Sequence, residues 1–492
     1  MPNRVLLVTF CLFFLGLALV AEANIHLRVA HDTRRVIYLG TFAFGPQGAA
    51  RLQTREFSVP QEMIEYYGNV SVLAANTLLG FMLEPTDSVS LARAYEQYGR
   101  GDIGPPLLSG SATSKSDVER TCFIKDPLVA PGQRSGRVIF PFSGLSVKDI
   151  LAAPMTQAIY DIGLYAVYFY NCADMPTDGR PVKLKTLPKR PISFNVDFEL
   201  YWVNGEKGLV HLSYGDRGLP GMYAVFGVAF AVMGALWMSQ IVRQWTHVKK
   251  IHLLMLLLVL VKTATLFIEG MKLNQYAKTG KASVWDYFFY ATVTLKGAML
   301  FGVIMLLGAG WSLIREYLSD IDKLVLLAVL PSQVLLNVCL AIIEETSEGN
   351  RNWSTWFDIL QILDVVCCCC VLFPLVWSIK KLREASETDE STARTITRMR
   401  EFRSFYIAIV AYIYFTRIVL IMVANALSYD KAWIAKAGAE IVAVLFYTYC
   451  GFRFRPGASV SHYEVLQRVD VVSEAEMREY EGGGKKNQEL VQ

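Results

Sequence analysis

The sequence predicts a multi-domain membrane protein, in which an all-β sandwich precedes an all-α bundle of seven transmembrane helices. Hydrophobic residues make up 53% of the 492 residues and charged residues 19%, a mixture that neither a soluble nor a membrane domain alone would give. Residues 24–218 contain runs of β-branched and aromatic residues, whereas residues 219–452 contain long apolar segments. The formal net charge of +4 is too small to indicate nucleic-acid binding.

The first residues have the pattern of a signal peptide. Arg4 precedes an apolar run over residues 5–20, and Ala21-Glu22-Ala23 forms an A-x-A cleavage pattern. We therefore expect residues 1–23 to be removed by cleavage after Ala23. An uncleaved anchor helix is the alternative, although the run is short for a membrane span. In both cases the following residues enter the secretory lumen.

Residues 24–218 predict a lumenal β-sandwich domain with its own core. Gly, Pro, Ser and Asp clusters separate the apolar runs in the manner of long turns. We expect short helices at residues 61–67 and 88–98. The predicted strands are at residues 35–44, 77–83, 137–142, 164–170 and 194–202.

The predicted lumenal segment contains two cysteines after signal cleavage, Cys122 and Cys172. A disulfide between them would close a loop of about 50 residues and stabilise the fold by roughly 4 kcal/mol. Two unpaired thiols are the alternative. Asn69 and Asn352 begin glycosylation sequons, and the predicted topology places both in the lumen, which predicts a glycoprotein.

Seven apolar segments predict the membrane domain at residues 219–452. Arginines and lysines cluster after the first segment and between the fifth and sixth, which places these loops in the cytosol. An odd number of spans then makes residues 453–492 a cytosolic tail. The predicted spans are 219–242, 251–273, 285–311, 323–344, 355–379, 403–428 and 432–452.

Six ionisable residues interrupt these spans, at mid-depth or toward the lumenal side, as the helical rise per residue indicates. A charge at this depth persists only beside a partner charge or in a wet cavity. The set can therefore be an ion-pair core that fixes helix packing, or a cavity open to the lumen that holds a lipid headgroup, a small ligand or an ion. Misplaced span boundaries are a third explanation. The six residues are Lys262, Glu269, Lys296, Asp364, Arg417 and Glu440.

Several sequence blocks in the membrane half resemble the GOST family, also called lung seven-transmembrane receptors. They include Leu295-Lys-Gly297, Leu363-Asp364, Tyr412-Ile-Tyr-Phe-Thr-Arg-Ile418 and Gly451-Phe-Arg-Phe-Arg-Pro456, and the match runs in order over that whole half. In the lumenal half, Leu212-Ser-Tyr-Gly-Asp216 is similar to the family. Among the six charges, Lys296, Asp364 and Arg417 lie in matching blocks. Lys262, Glu269 and Glu440 are selected only because of their predicted depth in the membrane.

The resemblance implies a GOLD-type β-sandwich over a seven-helix bundle. It also implies a location in the Golgi, the trans-Golgi network and endosomes, with a role in membrane trafficking; the plasma membrane is a further location. Plant members include candidate G-protein-coupled receptors. The sequence lacks an Asp-Arg-Tyr motif at the end of the third span and an Asn-Pro-x-x-Tyr motif in the seventh, which argues against ordinary rhodopsin-class signalling.

The tail contains Tyr463-Glu-Val-Leu466, which fits the tyrosine-x-x-hydrophobic motif that clathrin adaptors bind. Chance matches to so short a motif are frequent, and a solvated tail without a sorting role is the alternative.

Motifs of common hydrolases, metalloproteases and nucleotide-binding enzymes are absent, and the histidines lack metal-ligand spacing. We expect no enzyme activity, no metal and no cofactor.

Three functions remain open. The first is a trafficking protein whose lumenal domain binds a cargo and whose tail meets clathrin adaptors or other coat machinery, with membrane lipid or a small ligand as a further partner. The second is a receptor coupled to a heterotrimeric G protein. The third is an ion channel or transporter that uses the buried charges.

Overall fold

The computed structural model of the chain describes residues 25–34, 36–58, 79–89, 92–93, 119–120, 137–142, 151, 154–171, 182–183, 192–205, 208–281, 283–308, 320–346, 348–350, 352–368 and 393–456. Several predicted features lie outside these ranges. They are the cleavage site at Ala23, the sequon at Asn69, the cysteines Cys122 and Cys172, the short helix at 61–67, and the tail residues Tyr463 and Leu466. Of the helix predicted at 88–98, residues 89, 92 and 93 are helical.

The amino-terminal half is built from antiparallel sheets. One sheet has the order β1-β10-β3-β7, with β11 paired to β10, and a second has the order β2-β8-β4-β6; β5 and β9 form a separate pair. The strands are β1 Ile25–Asp32, β2 Val36–Phe44, β3 Gly48–Ser58, β4 Leu79–Pro85, β5 Glu119–Arg120, β6 Val138–Pro141, β7 Met155–Ile159, β8 Gly163–Asn171, β9 Val182–Lys183, β10 Ile192–Asn204 and β11 Gly208–Val210.

All five predicted strands are present, as β2, β4, β6, β8 and β10, and the predicted fold class is confirmed. The prediction missed β3, which pairs with β10 along nine residues. Its signal was alternation: Ala50, Leu52 and Thr54 are buried while Arg51, Gln53 and Arg55 between them are exposed. Charged residues on the outer face obscured a strand that is half buried.

Aromatic side chains fill the space between the two larger sheets. Phe81 of β4 is fully buried, and its ring centroid lies 5.0 Å from those of Phe169 and Phe198 and 5.7 Å from that of Phe194. The other face of the second sheet is also covered, since the Tyr168 hydroxyl donates a hydrogen bond to the carbonyl of Ala92 at 2.9 Å. Burial on both faces explains why β8 is almost continuously hydrophobic.

The carboxyl-terminal half is helical. Six helices among the described residues are long and apolar enough to cross a membrane. The helix at 353–368 is described only to Cys368, within the fifth predicted span. The helices are α1 Leu219–Arg243, α2 Lys250–Thr279, α3 Val284–Gly308, α4 Asp320–Glu345, α5 at 353–368, α6 at 393–426 and α7 Trp433–Arg453. Within α6, a π-helical turn at Phe415–Val419 separates Ala393–Tyr414 from Leu420–Ala426.

Candidate functional site

The first charged pair in the membrane domain joins α2 to α7. The ammonium of Lys262 lies 2.8 Å from Oε1 and 2.7 Å from Oε2 of Glu440. The two side chains are 7% and 12% exposed, so water screens this ion pair little. The ring of Phe230 on α1 lies 5.5 Å from the same ammonium and adds a cation–π contact.

The second pair joins α6 to α5. Nη1 of Arg417 lies 2.6 Å from Oδ2 of Asp364. Arg417 belongs to the π-helical turn of α6, and a π turn shifts the following side chains relative to an unbroken α-helix. The Asp364 side chain is 8% exposed, whereas that of Arg417 is 42% exposed and covers the pair from outside.

The remaining two charges, Lys296 on α3 and Glu269 on α2, interact at longer range. Glu269 lies beside the phenol of Tyr223 and interacts electrostatically with Lys296 and Lys262. Lys296 also interacts with Glu440 and Arg417. The structure therefore brings all six predicted residues into one connected group, with two close ion pairs inside it.

Two amides on α4, which the sequence analysis did not select, have buried nitrogens, and one of them, Asn337, lies next to this group. Gln333 is 1% exposed, and its Nε2 has no hydrogen-bond partner among the described residues. Asn337 lies one turn further along α4, and its Nδ2 also has no hydrogen-bond partner among the described residues. This nitrogen packs against Gly297, the residue after Lys296. Polar residues four apart in an apolar helix were the available signal. These groups can donate hydrogen bonds to a ligand that carries acceptor oxygens.

Residues 211–216 connect the sandwich to the bundle and pack against both. The indole of Trp202 donates a hydrogen bond to the carbonyl of Leu212 at 2.8 Å, and the amide of Ala43 donates one to the Ser213 hydroxyl at 3.1 Å. On the bundle side, a Cβ at Gly215 would lie 2.3 Å from the carbonyl oxygen of Tyr429, so only glycine fits there. The sandwich is thus in direct contact with the bundle, which we call seating, as well as covalently connected to it.

A second contact joins the sandwich to the loop between α4 and α5. Nη2 of Arg93 lies 3.2 Å from Oε2 of Glu348, and its guanidinium lies 5.1 Å from the ring centroid of Trp353. Arg34 donates a hydrogen bond to the carbonyl of Gly349. The indole of Trp353 donates one to the carbonyl of Ile343 at 2.8 Å, which fixes the loop on the end of α4.

This second contact contains a carboxyl group whose proton affinity is changed by burial. Burial raises the pKa of Glu348 above its usual value, and the guanidinium of Arg93 opposes part of that rise. Burial also raises the pKa of Tyr38, with a contribution from Glu348, so the phenol stays neutral. The other predicted residue near this loop, Asn352, is exposed.

A cavity of about 420 Å³ lies at the opposite end of the bundle. It is bounded by α1, α2, α3, α6 and α7, and none of the six membrane charges lines it. Its lining residues are mostly apolar, among them Met233, Trp237, Leu258, Ile304, Phe405 and Tyr447.

These features define a multi-pass membrane protein with a receptor-like arrangement of an extramembrane sandwich on a helical bundle. A family profile described as "GOST, seven transmembrane domain" matches residues 219–460. The chain is 32% identical over 314 residues to an Arabidopsis thaliana protein named Candidate G-protein coupled receptor 6, an alignment that covers 63% of this chain and 69% of the relative. The chain belongs to the GOST family.

The Lys262–Glu440 pair gives a first prediction. Lys262→Met leaves the Glu440 carboxylate buried without its cation, and we expect a loss of about 3 kcal/mol in the free energy of unfolding. Adding Glu440→Met should recover most of that loss, because the buried charge is removed as well. Unfolding of the purified protein in detergent, followed by circular dichroism, measures both. Equal losses in the single and double variants would contradict a paired core.

A matched control for this experiment is the Lys436–Asp216 pair, which is 3.5 Å long with side chains 50% and 33% exposed. Removing an exposed ion pair changes stability by about 0–1 kcal/mol. Lys436→Met should therefore stay within that range.

The pKa of Glu348 gives a second prediction. Because that pKa is raised when the sandwich is seated, the seated state binds the proton more tightly than a separated state. The contact between the sandwich and the 346–353 loop therefore becomes more stable as the pH falls through the raised pKa of Glu348. The added stability is complete below the ordinary pKa of the carboxyl. Hydrogen exchange of residues 346–353 at pH 5.5 and 7.5 measures this, and we expect slower exchange, corrected for its intrinsic rate, at the lower pH.

Glu348→Gln should remove this pH dependence, because an amide does not titrate. Glu56→Gln is the control, since Glu56 is exposed on β3 of the sandwich. Faster corrected exchange of the loop at pH 5.5 would show the opposite sign and reject the assignment.

Proposed function

We propose that this protein is a non-enzymatic trafficking receptor of Golgi, trans-Golgi network and endosomal membranes, whose sandwich binds a cargo or partner protein in the lumen. The observation that carries this proposal is the double seating of the sandwich, through residues 211–216 and through the Arg93–Glu348 contact. A partner bound to the sandwich acts directly on the ends of α4, α5 and α7. Such an arrangement suits a protein that reports lumenal occupancy to its membrane domain.

The proposal includes a topology with the sandwich in the lumen and residues 453–492 in the cytosol. Signal cleavage after Ala23, a Cys122–Cys172 disulfide and glycans on Asn69 and Asn352 belong to it. One feature supports it: Asn352 is exposed in the loop that contacts the sandwich, so both lie on the same side of the bundle.

We further propose that the charged group in the bundle binds a lipid or small ligand with acceptor oxygens. Lys296 offers an ammonium, and Gln333 and Asn337 offer amide nitrogens that have no hydrogen-bond partner among the described residues. The two close ion pairs, in contrast, support a packing role for Lys262, Glu440, Arg417 and Asp364. A channel or transporter that relays ions through these four residues would need them unpaired for part of its cycle.

Coupling to a heterotrimeric G protein is the second candidate function. The name of the Arabidopsis relative is the observation that favours it. Nucleotide exchange on purified G protein, with and without this protein in lipid nanodiscs, decides it. Acceleration of exchange supports coupling, and an unchanged rate with every Gα subunit of the source organism argues against it.

The tail gives the test of the trafficking proposal. Tyr463→Ala with Leu466→Ala removes both side chains that an adaptor would bind, so we expect a shift of the protein from the Golgi and endosomes toward the cell surface. Quantitative fluorescence microscopy and surface biotinylation measure the shift. Tyr480→Ala is the matched control, because Tyr480 is followed three residues later by Gly483, which is not a bulky hydrophobic residue. An unchanged distribution would exclude sorting by this motif.

A further inference from the structure

The cavity at the end of the bundle opposite the sandwich is lined mostly by hydrocarbon and aromatic side chains, with Gln240, Thr448 and Arg455 as polar members of its lining. Its volume of about 420 Å³ lies within the usual range of ligand pockets. Its inner part is formed by buried residues of α2, α3 and α6, including Val259, Ile304 and Phe405. No carboxylate lines it in the described part of the chain. A cavity of this composition favours a hydrocarbon chain over a polar solute.

The cavity reaches the membrane-facing surface between α1 and α7. Leu236 on α1 and Phe452 on α7 both line it, although their side chains are 64% and 72% exposed on the outside of the bundle. Thr448, one turn before Phe452, is also exposed. Because these residues face the acyl chains of the bilayer, a membrane lipid can enter from the side without crossing water.

The mouth of the cavity carries a positive charge at the level of the membrane surface. Arg455 lies two residues after the end of α7, is exposed and lines the cavity. Its guanidinium lies 5.0 Å from the ring centroid of Phe452, and no carboxylate pairs with it among the described residues. A guanidinium in this position has its hydrogen-bond donors free for a phosphate group.

We propose that this cavity binds an anionic glycerophospholipid from the leaflet opposite the sandwich. One acyl chain occupies the space between α1, α3, α6 and α7, and the phosphate accepts hydrogen bonds from Arg455. The apolar lining accounts for the chain, the opening between α1 and α7 for its entry, and the unpaired guanidinium for the preference for a negative headgroup. This site is separate from the charged group near Lys296, which lies toward the sandwich end.

Native mass spectrometry of the full-length protein tests this site. The purified protein, stripped of lipid in a neutral detergent, is titrated with phosphatidylserine and with phosphatidylcholine of the same acyl chains. We expect phosphatidylserine adducts to predominate. Arg455→Gln should reduce that preference by about tenfold, since it removes the positive charge that attracts the net negative headgroup of phosphatidylserine more than the neutral headgroup of phosphatidylcholine. Ile304→Phe fills the inner end of the cavity and should reduce the adducts of both lipids.

Two controls separate this site from general effects on the bundle. Leu445→Phe adds the same ring on the exposed outer face of α7, and Arg217→Gln removes a guanidinium at the sandwich end; both should leave the adducts unchanged. If Arg455→Gln retains the wild-type preference, or a folded Ile304→Phe retains the adducts, the proposal is wrong. Since Arg455 is exposed, its variant is expected to fold and decides the question even if Ile304→Phe does not.

Discussion

The arrangement of the bundle depends on the neutralisation of charge inside an apolar environment. Lys262 and Glu440 belong to helices far apart in sequence, and their ion pair brings α7 against α2. Arg417 and Asp364 do the same for α6 and α5. Because an isolated charge at this depth is costly, each pair excludes helix arrangements that separate its members. The ion pairs therefore determine which helices pack together more than they raise the net free energy of unfolding.

The sandwich adds a second constraint at one end of the same bundle. The segment at 211–216 is fixed by side chains of the sandwich and contacts the bundle through Gly215, where backbone meets backbone. The amide of His211 donates a hydrogen bond to the carbonyl of Ala277 at 2.9 Å, near the end of α2. The Arg93–Glu348 contact fixes another side of the sandwich. Two separated contacts resist rotation, which a flexible linker alone would permit.

The sequence was sufficient for the fold class and for five strands, because long apolar runs and alternation are local patterns. It also selected, from the rise per residue, six charges that the structure brings into one connected group. Which charges pair depends on how each helix is rotated, and the π turn at Phe415–Val419 changes that rotation for Arg417. Gln333, Asn337 and the cavity depend on contacts between helices, which one sequence does not reveal.

The charged group and the apolar cavity share helices, so they are mechanically connected. On α7, Glu440 lies about 9 Å along the axis from Phe446, which lines the cavity. The ring of Phe446 stacks on Tyr412 of α6 at a centroid distance of 4.3 Å, and Tyr412 lies little more than one turn before Arg417. A change in cavity occupancy that moves Phe446 therefore acts on α6 and α7, each of which carries one member of an ion pair. The segment at 211–216 contacts the bundle near the other end of α7, through Gly215 with Tyr429 and through Asp216 with Lys436, so this helix has the cavity at one end and the sandwich contact at the other.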